Sequence, residues 1–143
     1  MFNYYFEPDR DAYKSTIALF KAIKDGKYQA YTSFYVLKEL NDAEEDRRNK
    51  MLGLIKEYNV EVFDENKEAV NLARVYIENG IIPKGSLYDA LHIAVATINE
   101  IDLILSLNFQ HINRVKTKTG TLAINKLYGY NKEIMICSPQ EVM

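Results

Sequence analysis

The sequence feature that most constrains the fold is residues 86–112, SLYDALHIAVATINEIDLILSLNFQHI. The pattern predicts a capped helix, a short turn and then, over residues 101–107, an apolar strand without polar alternation. Such a strand is typical of a parallel sheet that is covered on both faces. Because a helix that packs back along a parallel sheet runs opposite to its strands, the helix start and the strand end lie at one edge. Ligands bind at that edge in open α/β sheets, so the segment predicts a candidate site there.

The rest of the chain alternates in the same way between helical and strand-like segments. Gly26, Gly80 and Gly129 each follow a helical pattern, where glycine commonly ends a helix. Strands that alternate with helices predict a mostly parallel sheet in α/β layers. Helices are predicted over residues 11–25, 44–58, 65–79 and 114–128 and in a short segment capped by Ser33, and further strands over residues 28–32, 60–63 and 134–137.

Two of the predicted helices have an apolar face that identifies candidate core residues. The helix over residues 44–58 is charged and amphipathic, and the helix over residues 65–79 has its apolar side chains on one side. The residues predicted to point inward are Met51, Leu52, Leu54 and Ile55 in the first and Ala69, Leu72, Ala73 and Tyr76 in the second.

Length and composition predict a single cytoplasmic domain over residues 1–143. The chain is 48% hydrophobic and 27% charged, which is ordinary for a globular protein. Its net charge of −2 supplies no global positive field for nucleic acid, although a local basic patch is compatible with it. Cys137 is the only cysteine, so an intramolecular disulfide is excluded. No apolar run is long enough for a membrane span, and the first residues lack the basic region of a secretory signal.

Asp89, near the start of the predicted helix, has two interpretations. Ser86 and Asp89 have the S-x-x-D spacing of a capping box, in which the carboxylate reaches back to the backbone N–H of the cap. Alternatively, a carboxylate at a helix start beside a strand end is placed to hold a hard cation. Mg²⁺ is typically bound by one or two carboxylates together with substrate phosphates and water.

Glu39 and Asn108 are the other candidates for the same edge. Glu39 follows the strand over residues 28–32 and would share the edge with Asp89, although it is also explained as a solvated charge on a helix. Asn108 follows the strand over residues 101–107 and would position a water, although asparagine is also a common turn residue.

Two histidines and a basic run accompany these residues. His92 lies on the same helix face as Asp89, and His111 follows Asn108. Each is either a hydrogen-bonded structural residue or a supporting group of the site. A basic run follows that is either a solvated helix face or an anchor for RNA phosphates, and it consists of Arg114, Lys116 and Lys118. The sequence contains no paired cysteines, no H-x-x-x-H pair and no Gly-rich phosphate loop, which argues against zinc, P-loop and dinucleotide sites.

The order of these motifs resembles PIN-domain proteins, the ribonuclease family of VapC-type toxins. The resemblance rests on an acid after a strand in YTSFYVLKEL, then DALHIAVA, then ILSLNFQHI, and it extends into the closing KTKTGTLAINKLYGY and SPQEV. It implies a three-layer α/β/α fold with a mostly parallel sheet. It also implies a metal-dependent endoribonuclease, the toxin of a toxin–antitoxin pair.

Carried over by position, the resemblance assigns Glu39 and Asp89 as ligands of Mg²⁺ or Mn²⁺. It adds Asn108 to the catalytic set, with Ser86, His92 and His111 in support. The family's first acid lies at the end of an opening central strand, in a pattern like L-D-T-S followed by an apolar residue, and Met1 falls where that apolar residue would be. The first strand is therefore expected to be missing or replaced, through a gene start placed too far downstream or a natural variant. We expect lower stability and impaired activity as a result.

Three functions follow from these residues. The first is hydrolysis of RNA, with an antitoxin protein or a second copy of the chain as possible partners. The second is a catalytically silent PIN-like module that binds RNA or protein. The third is a flavodoxin-like regulatory or nucleotide-binding domain, which would require a phosphate loop or an acceptor aspartate at a strand end that the sequence does not show.

Overall fold

The computed structural model describes residues 13–41, 44–105 and 115–137, without the side chains of Glu39, Leu40 and Leu105. The chain divides after Asp64 into two compact units. Each unit combines helices with one pair of short parallel strands, so the described part of the chain is of mixed α/β type.

The first unit contains three helices and two strands within its described residues. They are α1 (Tyr13–Lys24), β1 (Tyr31–Ser33), α2 (Phe34–Asn41), α3 (Glu45–Glu57) and β2 (Glu61–Phe63). The strands β1 and β2 run parallel, with Tyr31 opposite Glu61 and Ser33 opposite Phe63. The buried apolar side chains of this unit come from all three helices and from the residue before β2, and they are Leu19, Phe20, Tyr35, Met51, Leu54 and Val60.

The second unit contains α4 (Lys67–Glu78), α5 (Leu87–Ile98), β3 (Leu103–Leu105), α6 (Val115–Leu127) and β4 (Met135–Cys137). A 3₁₀ turn over Lys84–Ser86 leads directly into α5. The strands β3 and β4 are parallel, with Leu103 opposite Met135 and Leu105 opposite Cys137. The helix α5 lies at the centre of this unit, because most of its residues from Ala90 to Thr97 are buried.

The structure confirms the predicted helices and the parallel strand direction within the described residues. All four core residues predicted for α4 are buried. Leu52 was predicted to point inward, which is wrong, because its residue is 39% exposed. The described strands form two separate parallel pairs, and this arrangement shows an α/β chain without showing a single layered sheet.

All four predicted strands begin later in the structure than in the sequence pattern, and for two of them the end of the preceding helix explains the shift. After α3 the Val60 N–H donates to the Ile55 carbonyl, and after α5 the Ile101 N–H donates to the Ala96 carbonyl. These bonds complete the helix ends, so the residues that make them belong to the turn. Ser33, predicted to cap α2, is the buried last residue of β1 and directly precedes the first residue of α2.

Candidate functional site

Asp89 and His92 lie on one face of α5, separated by a single turn. Asp89 is in the first turn of the helix, and both residues are partly exposed at the surface of the second unit. Ala90, Leu91 and Ile93 beside them are buried and apolar, so Asp89 and His92 are polar groups on the outward face of the first half of the helix. The N-terminal end of a helix carries partial positive charge, and Asp89 lies at that end of α5.

Ser86 precedes α5, but its side chain makes no capping hydrogen bond. Its backbone N–H instead donates to the Pro83 carbonyl over 3.0 Å, within the 3₁₀ turn. The capping-box interpretation required the Asp89 carboxylate to reach this N–H, which already has a backbone partner. Both interpretations of Asp89, as a capping residue and as a candidate ligand, stay predictions.

The remaining acidic and histidine candidates lie partly or wholly outside the described residues. The backbone of Glu39 belongs to α2 in the first unit, while Asp89 belongs to the second unit. The side chain of Glu39 is not described, and Asn108, His111 and Arg114 lie outside the described ranges. Their places in the candidate site stay predictions.

Two members of the basic run lie at the start of α6. Lys116 is exposed, whereas Lys118 is partly buried. Residues two positions apart in an α-helix point to different sides, so these two lysines do not form one patch on α6 by themselves.

The described residues contain neither a large cluster of metal-ligating side chains nor a membrane-spanning helix. Among those residues, no group of three or more histidine, cysteine, aspartate or glutamate side chains is placed to hold a metal ion. Within the same ranges, no helix has both the length and the apolar character needed to cross a membrane.

A buried polar cluster in the second unit was not expected from the sequence. The Tyr76 hydroxyl in α4 donates to Asn125 Oδ1 in α6, and Asn125 Nδ2 donates to Thr97 Oγ1 in α5 over 3.2 Å. The Thr97 hydroxyl then donates to the Ile93 carbonyl over 2.9 Å. All three side chains are at most 3% exposed. Burial raises the pKa of the Tyr76 hydroxyl well above its usual value, so this group is a permanent donor at neutral pH.

The face of α6 that carries Asn125 is polar although it is buried. Thr117, Thr121 and Asn125 follow one another at intervals of four residues, and all are at most 2% exposed. The Thr117 hydroxyl donates to the Ile81 carbonyl over 3.4 Å, while Thr121 Oγ1 has no hydrogen-bond partner among the described residues. A search for apolar periodicity misses such a face. The signal that would have found it is the repeated small and polar residues at i, i+4 and i+8.

A second polar link joins the segment after α6 to the start of α4. The Tyr130 hydroxyl donates to Glu68 Oε1. Asn66 caps the same helix by accepting hydrogen bonds from the N–H groups of Glu68 and Ala69, at 2.8 and 3.2 Å. Partial burial, together with the hydrogen bond to Glu68 and the charge of its carboxylate, raises the pKa of Tyr130 to about 12.

Comparison with known proteins supplies no relative. No protein-family model, no curated protein and no solved structure matches this sequence. The PIN-domain resemblance therefore stays a prediction that rests on the motifs themselves.

Proposed function

We propose that this chain is a PIN-type, metal-dependent endoribonuclease whose site includes Asp89 of α5. The observation that carries the proposal is the position of Asp89. Its carboxylate is in the first turn of a buried helix, is partly exposed and follows a serine whose hydroxyl does not cap the helix. A carboxylate at this position can bind a hard cation.

The α/β character of the chain supports the proposal. Both described strand pairs are parallel, and α5 leads into β3 as the motif order requires. The proposal extends this arrangement to a three-layer PIN-like fold, with Glu39 and Asn108 at the same edge as Asp89. His92 and His111 would support the acids, while Arg114, Lys116 and Lys118 would contact RNA phosphates.

The donor chemistry of Asp89 fits Mg²⁺ or Mn²⁺, because both are hard cations that prefer carboxylate oxygens. Mg²⁺ usually takes only one or two protein carboxylates, so a site does not need a group of three. Asp89 would hold the ion together with Glu39. When bound, the ion lowers the pKa of a coordinated water and stabilises negative charge on the phosphate.

A catalytically silent PIN-like module that binds RNA or protein is the second candidate function. The observations that support the fold, namely the parallel strand pairs and the order of α5 and β3, support such a module equally. Such a module would bind its partner without a metal ion. An antitoxin protein, a second copy of the chain and a cytoplasmic location stay predictions under either function.

The experiment that tests the proposal is Asp89→Asn, assayed for cleavage of labelled RNA with Mn²⁺ and with Mg²⁺. Asparagine keeps the shape of the side chain but removes the charge that a hard cation needs. We expect the wild-type chain to cleave RNA only when the metal is present, and the variant to lose that cleavage.

Asp46→Asn is the matched control, because Asp46 also lies in the first turn of a helix, α3, and is exposed. Each substitution removes one charge from a helix N-terminus, which costs about 0.3–1 kcal/mol. The control should therefore lose similar stability and keep its activity. Metal-dependent cleavage at the wild-type rate by Asp89→Asn would refute the site. Metal-independent RNA binding without any cleavage by the wild-type chain would favour the silent module.

A further inference from the structure

The first unit carries a stacked pair of aromatic rings on its two strands. The rings of Tyr31 in β1 and Phe63 in β2 lie 5.1 Å apart between centroids, with only 3° between their planes. Tyr31 is opposite Glu61 in the parallel register, and Phe63 is two residues further along β2. Because side chains alternate along a strand, Tyr31, Glu61 and Phe63 share one face of the strand pair.

This aromatic pair is not fully buried. Tyr31 is 36% exposed and Phe63 is partly exposed, although a stacked aromatic pair is ordinarily a core feature. Stacking on Phe63 already restricts the Tyr31 side chain. A planar ligand that stacks on the exposed Tyr31 ring would therefore cost little additional conformational entropy.

Two exposed lysines flank β1, and each is held over an aromatic ring. Lys27 Nζ is 5.6 Å from the centroid of the Tyr28 ring, and Lys38 Nζ is 5.9 Å from the centroid of the Phe34 ring. Tyr28 and Phe34 are themselves partly exposed. The segment from Lys27 to Lys38 therefore has a cationic group at each end and accessible aromatic rings between them.

We infer that Tyr31 stacks on an unpaired base of single-stranded RNA, with Lys27 and Lys38 contacting the adjoining phosphates. This inference rests on the proposed function for the choice of RNA, and it adds a contact that the candidate acids do not supply. Aromatic rings combined with cationic side chains are the usual means of binding single strands, because every base has a π-face. A duplex hides those faces, so the same surface discriminates against paired RNA.

Nearby acidic groups limit the electrostatic part of this binding. Glu61 and Asp64 are exposed on and just after β2, and they oppose the charge of the two lysines. Two phosphate contacts on a single strand predict that log K falls with log salt with a slope of about −1.4. Base stacking should therefore contribute most of the affinity, and added salt should weaken binding only modestly.

The experiment measures binding of a labelled ten-nucleotide RNA by fluorescence anisotropy in EDTA, so that metal-dependent cleavage plays no part. Tyr31→Ile removes the π-face while keeping an apolar strand-forming residue against Phe63. We expect about 5- to 150-fold weaker binding from this variant, the range found for the loss of one base–aromatic stack. Tyr31→Phe keeps the ring and should bind as the wild type does, and the duplex of the same sequence should bind more weakly.

Tyr128→Ile is the control, since Tyr128 is 55% exposed but follows α6 in the other unit. Tyr128→Ile should leave RNA binding unchanged, and circular dichroism checks that each variant is folded.

Equal affinity of Tyr31→Ile and wild type, or tighter binding of the duplex, would overturn the inference. Cleavage that depends on Asp89 together with RNA binding that ignores Tyr31 would overturn this inference alone. Binding that depends on Tyr31 without metal-dependent cleavage would overturn the nuclease and leave the stacking contact intact.

Discussion

At the scale of single residues, the polar cluster of Tyr76, Thr97 and Asn125 specifies how three helices of the second unit meet. Each donor has one acceptor, and the order of donation is fixed because the Thr97 hydroxyl is committed to the Ile93 carbonyl. Buried polar groups cost free energy unless they are hydrogen-bonded, so the cluster is stable only when all its members are present. Tyr76 is predictable from the apolar pattern of α4, whereas its partners are not.

Tyr76→Phe should lower the free energy of unfolding by about 1–3 kcal/mol, because it leaves Asn125 Oδ1 buried without its donor. The ring itself is retained, so loss of packing does not contribute. Urea denaturation followed by circular dichroism measures the change. Tyr128→Phe removes the same hydroxyl from an exposed position and should stay within about 0.5 kcal/mol of wild type. An equally small effect of Tyr76→Phe would mean that the cluster does not stabilise the fold.

At the scale of elements, α4 and α5 end in nearly the same way. Asn79 and Asn99 follow the two helices, and the side chain of each donates to the carbonyl four residues earlier over 2.8 Å. The next residue is left-handed in both cases, with φ of 71° at Gly80 and 54° at Glu100. The following N–H then closes the turn onto Tyr76 or Ala96. The two ends differ mainly in that one left-handed position is glycine and the other is glutamate.

Glu100→Gly should therefore stabilise the protein, and Gly80→Ala should destabilise it. A residue with a Cβ destabilises the folded state by roughly 1–2 kcal/mol when its backbone is left-handed. Glycine avoids this cost, but its greater freedom in the unfolded chain lowers the advantage of glycine by about 0.5–1 kcal/mol. We expect changes in the free energy of unfolding of up to about 1 kcal/mol, with opposite signs. A Cβ at Gly80 would meet no atom within 4 Å, so steric overlap is excluded as the cause. Thermal unfolding measures the stability of both variants relative to the wild type. Stability changes of the same sign in the two variants would contradict this explanation.

A comparison of α4 with α6 shows which buried helix faces the sequence pattern predicts and which it misses. The apolar period located the buried face of α4, because hydrophobic burial depends on residue type and spacing alone. It missed the buried face of α6, whose members are Thr117, Thr121 and Asn125, because their burial depends on partners in other helices. Close approach explains Gly120 on the same helix, where a Cβ would lie 2.8 Å from Ile81 Cγ1. None of these partners is adjacent in sequence.

At the scale of the whole molecule, the alternation of helices and strands predicted the α/β class and the parallel pairing. It did not predict that the described strands form two pairs in two compact units. Strand order depends on long-range pairing, which a local pattern does not encode. The same limit applies to predicting the candidate site from the sequence. The position of Asp89 in the first turn of α5 is predictable from local signals, whereas its relation to Glu39 depends on how distant segments are arranged.

The alkaline stability of the molecule should depend on Tyr130. Its hydroxyl donates to Glu68 at the start of α4, and its pKa rises to about 12 from an ordinary value of 10. A raised folded-state pKa means that the unfolded chain loses this proton first as the pH increases. The contribution of Tyr130 is therefore complete below pH 10 and is lost as the pH rises through about 12.

Tyr130→Phe tests this dependence, because all other titrating groups are common to the variant and the wild type. Urea denaturation at intervals from pH 8 to 12 should give a stability difference that is constant up to about pH 10 and then shrinks. Glu68→Gln keeps an acceptor for the hydroxyl but removes the negative charge, so the decline should cover a narrower pH range in that variant. A difference between wild type and Tyr130→Phe that stays constant to pH 12 would show that the proton of Tyr130 is not held by Glu68.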